Sequence, residues 1–296
     1  MIERETLLKE MNEHKRTIKI ATWKTFKRNK ISFLSSLIIL GVGALSVLGI
    51  FYTPYDPYKP SFSEALMPPS LTHPLGTDWL GRDILSRIIA GGKYTLGLAF
   101  VAIVIGATIG TFLGLASGYY LGLIGATIQR ITEVFLILPT LIMATLFAAI
   151  LGTGLLSTLL AVAIPIIPVY AKLVHSATLR VRNEDYIEAA KLLKKSGPYI
   201  MFNHILPNIL HIIIVQTTYY MGTGILTVSA LGFLGLGVPS PTPEWGTIVG
   251  DAKGYIFSYP YVVFIPGILI AIVVVAFNIL GDGLREALDP KLRRLL

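Results

Sequence analysis

Few residues of this chain have the types and spacing that bond-making chemistry needs. Its five histidines, His14, His73, His175, His204 and His211, stand at separations that match no metal-binding pattern. Cysteine is absent, which excludes disulfides and thiolate metal sites. No H-E-x-x-H, G-x-S-x-G or G-x-x-x-x-G-K-S/T occurs. The chain therefore carries no metalloprotease helix, no nucleophile elbow and no loop that cradles nucleotide phosphates. The charged residues near apolar segments are few. Asp78, Arg82, Asp83 and Arg87 precede one long apolar run, where they can pair with one another or meet a partner. Arg130 and Glu133 lie between that run and the next. A polar string, Gln216, Thr217, Thr218, Tyr219, Tyr220 and Thr223, interrupts a third. It suits the lining of a cavity and, equally, hydrogen bonding to neighbouring helices. The available chemistry is non-covalent recognition, and anything moved uphill must draw its energy from another subunit.

The elements that position these residues follow from composition. The 296 residues are 53% hydrophobic and 14% charged, with a mean hydropathy of +0.69, which excludes an ordinary soluble domain. Residues free of Asp, Glu, Lys and Arg form five runs, 31–55, 94–129, 134–171, 196–243 and 254–281. Each is long enough for a helix of about 20 residues to cross the hydrocarbon core. Gly152-Thr153-Gly154 divides the third run into a helical hairpin. Six spans result, at Ile31 to Tyr52, Tyr94 to Gly118, Ile128 to Leu151, Leu155 to Tyr170, Ile209 to Leu231 and Tyr259 to Leu280. The expected fold class is an all-α integral membrane protein of six transmembrane helices. Lys and Arg set the orientation. With both termini cytoplasmic, 20 of them lie inside and 5 outside. The basic residues 1–30 read as a topogenic, lipid-facing segment rather than a nucleic-acid site. The first apolar run reads as a retained span, not a cleaved signal peptide.

Gly106, Gly110, Gly114, Gly118 and Gly122 recur every four residues, giving the second span a smooth face for a neighbouring helix. Pro139, Pro165, Pro168 and Pro266 predict kinks inside spans. The spans offer almost no ionisable group at mid-depth, which argues against ion coupling, and no arginine ladder for sensing voltage.

The loop after the fourth span specifies a short helix of about three turns. Asn183 is its expected N-cap, Glu184 and Asp185 favour its start, Lys191, Lys194 and Lys195 its end, and Gly197-Pro198 stops it. Tyr186, Ala189, Ala190 and Leu193 share one face at i, i+3, i+4 and i+7. That face suits a groove on a partner protein or a lipid surface.

Glu188-Ala189-Ala190 followed by His204-Ile205-Leu206-Pro207-Asn208 resembles the EAA loop of ABC importer permeases, the segment that docks into the ATP-binding subunit. That family usually has glycine six positions after the glutamate; here the position is Lys194, and the nearest glycine is Gly197. Leu75-Gly76-Thr77-Asp78, Gly81-Arg82-Asp83 and Ser86-Arg87 resemble the dipeptide/oligopeptide/nickel permeases, in their C-type subunit. So do Phe233 to Gly237, Pro241 to Gly246, Phe277-Asn278 and Gly281 to Arg285 with Leu288-Asp289-Pro290.

The resemblance implies a type I ABC importer permease fold and the division 1–30 (cytoplasmic segment), 31–53 (first helix), 54–93 (outer loop), 94–282 (core, with coupling loop 172–207) and 283–296 (cytoplasmic tail). It implies a cytoplasmic-membrane transport subunit rather than an enzyme. Its partners would be a second homologous permease, two ATP-binding subunits and an extracytoplasmic substrate-binding protein. ATP and Mg would be held by those partners and no cofactor by this chain. Tyr186, Glu188, Ala189, Ala190, Leu193, Gly197, His204 and Pro207 are the expected coupling residues. Gln216, Thr217, Tyr220 and Thr223 are the candidate pathway lining. Short peptides are the expected cargo; nickel, another small solute, and a non-transporting scaffold or channel role are the alternatives.

Overall fold

The computed structural model describes residues 25–288. Most of the basic segment 1–30, with His14, and the last eight residues, with Asp289 and Pro290, lie outside the described residues. The described residues are helical and hold one isolated bridge, between Thr77 and Asp83. We number the helices α1 (Lys30–Phe51), α2 (Ile84–Tyr119), α3 (Leu123–Leu136), α4 (Thr140–Leu151), α5 (Leu155–Arg182), α6 (Asp185–Leu192), α7 (Gly197–Ile200), α8 (Leu206–Phe233), α9 (Trp245–Ala252) and α10 (Tyr261–Leu288). The bundle has two ends. Residues 52–83 and 234–260 fold over one, the strap end; residues 183–205 close the other, the loop-helix end.

Asn29 starts α1 by accepting from the Ser32 amide at 3.2 Å, and its Nδ2 donates to Glu286 at 3.2 Å, so the first and last long helices are tied at the loop-helix end. Asp83 caps α2, accepting from the Ser86 amide at 2.7 Å. This cap starts α2 ten residues before the expected Tyr94, because Arg87 and Asp83 find polar partners in Asp78 and His73 and need not stay in water.

The closest packing in the bundle joins α2 to α5. A Cβ added at Gly110 would lie 2.5 Å from the Ile167 carbonyl oxygen, and one at Gly114 2.6 Å from Val174 Cβ. The four-residue glycine repeat thus lets α5 approach, as expected. Gly122 falls outside that ladder: it has φ +85°, a Cβ added there would meet nothing within 4 Å, and it starts α3. Ala99, Ile103, Ala163, Ile166, Tyr170, Ile225 and Trp245 form the central core.

The expected third span, Ile128 to Leu151, is not one straight helix. α3 and α4 meet at 88°, at Ile137-Leu138-Pro139. Pro139 has no amide hydrogen to donate and holds Leu138 away from helical geometry. Alone, α4 is about 18 Å long and too short to cross, so the break decides how this segment traverses. Among the described residues, five helices meet the length and apolarity of a span, six if the bent pair counts as one.

At the strap end, Pro241 to Gly246 wedges between α2 and α8. Buried Glu244 accepts from Thr95 Oγ1 at 2.8 Å and from the Thr247 amide at 2.8 Å, capping α9. Burial pushes its carboxyl above the usual carboxylate range, against the opposing pull of hydrogen bonds from Gly246, Thr247 and Thr95. A carboxyl whose folded pKa exceeds its unfolded one stabilises below the unfolded value, and that contribution disappears as pH rises through the folded value. Glu244→Gln is therefore expected to flatten the decline of thermal stability as pH rises above the ordinary carboxylate range, checked by unfolding scans across that rise.

Candidate functional site

The loop-helix end presents the candidate coupling residues. α5 runs to Arg182, twelve residues past the expected Tyr170, and Asn183 is its C-cap rather than the N-cap of the following helix. α6 is therefore shorter than expected, eight residues with Glu184 at its N-cap and no side-chain cap. Asp185 and Glu188 in its first turn and Lys191 in its last complement the helix dipole.

The helix does not run to Gly197. Lys194 stops it, with φ +54°. The Lys195 amide donates to the Ala190 carbonyl at 3.3 Å and the Lys194 amide to Lys191 at 2.9 Å, the paired bonds of a Schellman ending. The position where the resembling family carries glycine thus keeps the glycine conformation with a lysine in it. Gly197 instead opens α7, which Ser196 caps through the Tyr199 amide at 3.4 Å. Lys194→Gly is expected to stabilise the protein by about 0.5 kcal/mol, the left-handed strain removed outweighing the added chain entropy. Thermal unfolding of the two proteins side by side measures it.

Between α7 and α8, Met201–Ile205 forms a π-turn just before Pro207. Pro207 has no amide hydrogen, so the bonding ladder is broken here, and the Asn208 side chain donates to the His204 carbonyl at 2.6 Å. The His204 ring lies 5.6 Å from that of Tyr199.

The exposed face of α6 differs from the expected one. Ile187, 0% exposed, and Ala190, 5% exposed, pack with Ile200, Ile205 and Ile209 against Leu115, Val174 and Ala177. Ala190 is thus a clamp that holds the loop to the bundle, and it leaves the expected contact face. Tyr186, Glu188, Ala189 and Leu193 remain exposed, joined by Leu192 at 83% exposure. The spacing that grouped Tyr186, Ala189, Ala190 and Leu193 straddled the boundary between two faces. The pair Ile187 and Ala190, three apart, was the available signal for the inward one.

The candidate pathway residues divide as well. Thr217 accepts from the Tyr170 hydroxyl at 3.0 Å, and the Tyr220 ring lies 5.7 Å from that of Tyr170. Thr217 and Tyr220 are thus engaged with α5, and both remain half-buried. Gln216 is half-buried and Thr223 exposed. Nearby, exposed Asn278 and Asp282 stand four apart on α10, and the Tyr219 hydroxyl donates to Asp282 at 2.5 Å. This polar strip was missed because Asp282 lies one residue beyond an uncharged run.

The strap-end charges pair internally, the first of the two options the sequence left. Arg82 Nε donates to Asp78 at 2.7 Å, Arg87 lies 3.5 Å from Asp78, and His73 bonds to Asp83 at 3.0 Å. Glu133 pairs with Lys172 at 3.1 Å, with Arg130 at 3.9 Å.

Comparison with known proteins decides the family. The sequence profile described as "Binding-protein-dependent transport system inner membrane component" matches residues 110–294. The chain belongs to that family. A second profile, "N-terminal TM domain of oligopeptide transport permease C", matches residues 20–69 of this permease. It is 41% identical to a dipeptide transport system permease protein of Alkalihalophilus pseudofirmus, over 92% of this chain and 89% of the relative. A di/tripeptide transport permease of Pseudomonas aeruginosa is 40% identical over 92% and 91%. A glutathione transport permease of Pectobacterium atrosepticum is 39% identical over 92% and 90%.

Among solved structures, the methionine ABC transporter in an inward-facing conformation superposes with a TM-score of 0.57. The match covers 70% of this chain and 98% of that one, at 22% identity. The ABC importer permease fold follows. This protein is a multi-pass subunit of the cytoplasmic membrane, a transport component and not itself a catalyst. Its family implies ATP-binding subunits and a substrate-binding protein as partners.

Proposed function

We propose that this permease forms half of the translocation pathway of an ATP-driven importer of di- and oligopeptides. The observation that carries the substrate class is that relatives covering nearly the whole chain are named for dipeptide, di/tripeptide and glutathione transport, all cargoes built on peptide units. In this reading both termini are cytoplasmic, a second homologous permease completes the pathway, and an extracytoplasmic binding protein delivers cargo at the strap end. ATP and Mg are held by two ATP-binding subunits, and this chain binds no cofactor. α6 seats in a groove of one ATPase through Tyr186, Ala189, Leu192 and Leu193. Lys191, Lys194 and Lys195 meet acidic groups at its rim. ATP binding closes the ATPase pair and draws the loop helices together, and the bundles rock from inward-open to outward-open. The higher affinity of ATP for the closed pair supplies the shift. Thr223, with Gln216, faces the pathway.

The test is ATPase activity of the assembled complex in lipid, with its binding protein, across di- to hexapeptides, nickel chelates and sugars. Stimulation confined to peptides is the expected result. Stimulation by nickel chelates or sugars instead would overturn the substrate class, and assembly without any stimulation would overturn transport itself.

A further inference from the structure

At the strap end, where α1 leaves the membrane, a cleft of about 280 Å³ opens between the last turn of α1 and α2. It is lined on one side by Gly49, Ile50 and Phe51 and on the other by Asp56, Tyr58 and Lys93. Its walls change from apolar helix to charged loop over a few residues, the transition a bilayer makes between acyl chains and headgroups. Phe51 and Tyr52 at its mouth are 83% and 73% exposed, an aromatic rim at the depth where such side chains settle in membranes.

Two opposite charges face this one cleft. Lys93 Nζ lies 5.0 Å from the centre of the Tyr94 ring, and no carboxylate lies within ion-pair distance of it among the described residues. Beside it the Tyr58 and Tyr94 hydroxyls are 3.0 Å apart, one of them free to donate outward. Asp56 uses one carboxylate oxygen, Oδ1, to accept from the Tyr58 amide at 2.9 Å. The helix end adds negative character: the Tyr52 amide takes the Leu48 carbonyl. The carbonyls of Gly49, Ile50 and Phe51 are left as the open, negative end of the α1 dipole.

We infer that this cleft binds the headgroup of an aminophospholipid, with Lys93 and the tyrosine hydroxyls on the phosphate and Asp56 with the α1 carbonyls on the primary ammonium. The acyl chains then follow the apolar outer surface of α1, where Leu45, Leu48 and Ile50 are exposed. A primary ammonium brings three N–H donors to acceptors that are all oxygens, so ethanolamine fits where quaternary choline, with no donor, does not. A glycerol headgroup brings Asp56 neutral hydroxyls, with no cation to offset its charge.

The test uses the complex purified with its partner subunits, in detergent doped with equal amounts of phosphatidylethanolamine, phosphatidylcholine and phosphatidylglycerol, with retained lipid counted by native mass spectrometry. Phosphatidylethanolamine is expected to be retained over the other two by about tenfold, the size of a hydrogen bond to a charged group. Asp56→Asn is expected to erase that preference while keeping a phosphate-bearing lipid bound. Lys93→Gln is expected to weaken all three by about fivefold. Thermal unfolding of both variants verifies the fold. Equal retention of phosphatidylglycerol, or a preference untouched by Asp56→Asn, would overturn the assignment. So would displacement of bound lipid by soluble glycerophosphoethanolamine at matched concentration, which would make the cleft a site for a free zwitterion. The readout is independent of cargo, so it stands or falls apart from the peptide reading.

Discussion

Ala189→Glu is expected to abolish association with the ATP-binding subunits while membrane insertion and thermal stability stay unchanged. Ala189 is exposed at the centre of α6, and its small side chain leaves the helix surface flat between Tyr186 and Leu193. A glutamate there puts a charge into the contact and lifts the helix from its seat. A buried unpaired charge at an interface costs several kcal/mol, enough to reduce association by about a thousandfold. Co-purification of the ATPases with the tagged permease reads the outcome. The neighbouring Ala190→Glu separates docking from folding. Ala190 is packed against α5 and the α7–α8 segment, so that change lowers stability itself. Normal ATPase association of Ala189→Glu would remove α6 from the docking role.

Gly246→Ala carries the second large effect, on assembly of the strap end. A Cβ at Gly246 would stand 2.0 Å from the Ser229 carbonyl oxygen and 2.4 Å from its Cα. Both are backbone atoms of α8 and cannot rotate away. α9 must then lift from α8, and the buried bonds of Glu244 to Thr95 and Thr247 break with it. Overpacking plus an orphaned buried carboxyl is expected to cost about 3 kcal/mol or more. The measurement is the midpoint of thermal unfolding in detergent. Gly97→Ala is the control: nothing lies within 4 Å of its added Cβ, so it is expected to leave the midpoint in place.

Much of the candidate site was legible as composition and local pattern. The glycine ladder on α2, the hairpin at Gly152 to Gly154 and the charge order along α6 each depend on residues within a few turns of one another. The faces of helices were less so. Ala190 and Ala189 are adjacent and chemically identical, yet one is clamped beneath the loop and the other exposed. What separates them is the position of Leu115, Val174 and Ala177, which come from helices tens of residues away. Likewise Thr217 and Tyr220 are polar, but Tyr170 on α5 engages them, and only the fold brings that tyrosine alongside.

The sequence by itself determined that the chain lives in a bilayer, that it lacks a phosphate loop, and that its motifs resemble those of binding-protein-dependent permeases. These follow from transfer free energies and short motifs, which are properties of segments and need no knowledge of their neighbours. The tertiary structure alone decided how far the chain turns at Pro139, 88° between α3 and α4, the lysine in the left-handed position that ends α6, and the outward face of that helix. It also placed Lys93 and Asp56, 37 positions apart in the chain, on one cleft. Each of these depends on which distant surfaces meet, and close packing leaves room for only one such arrangement at each site.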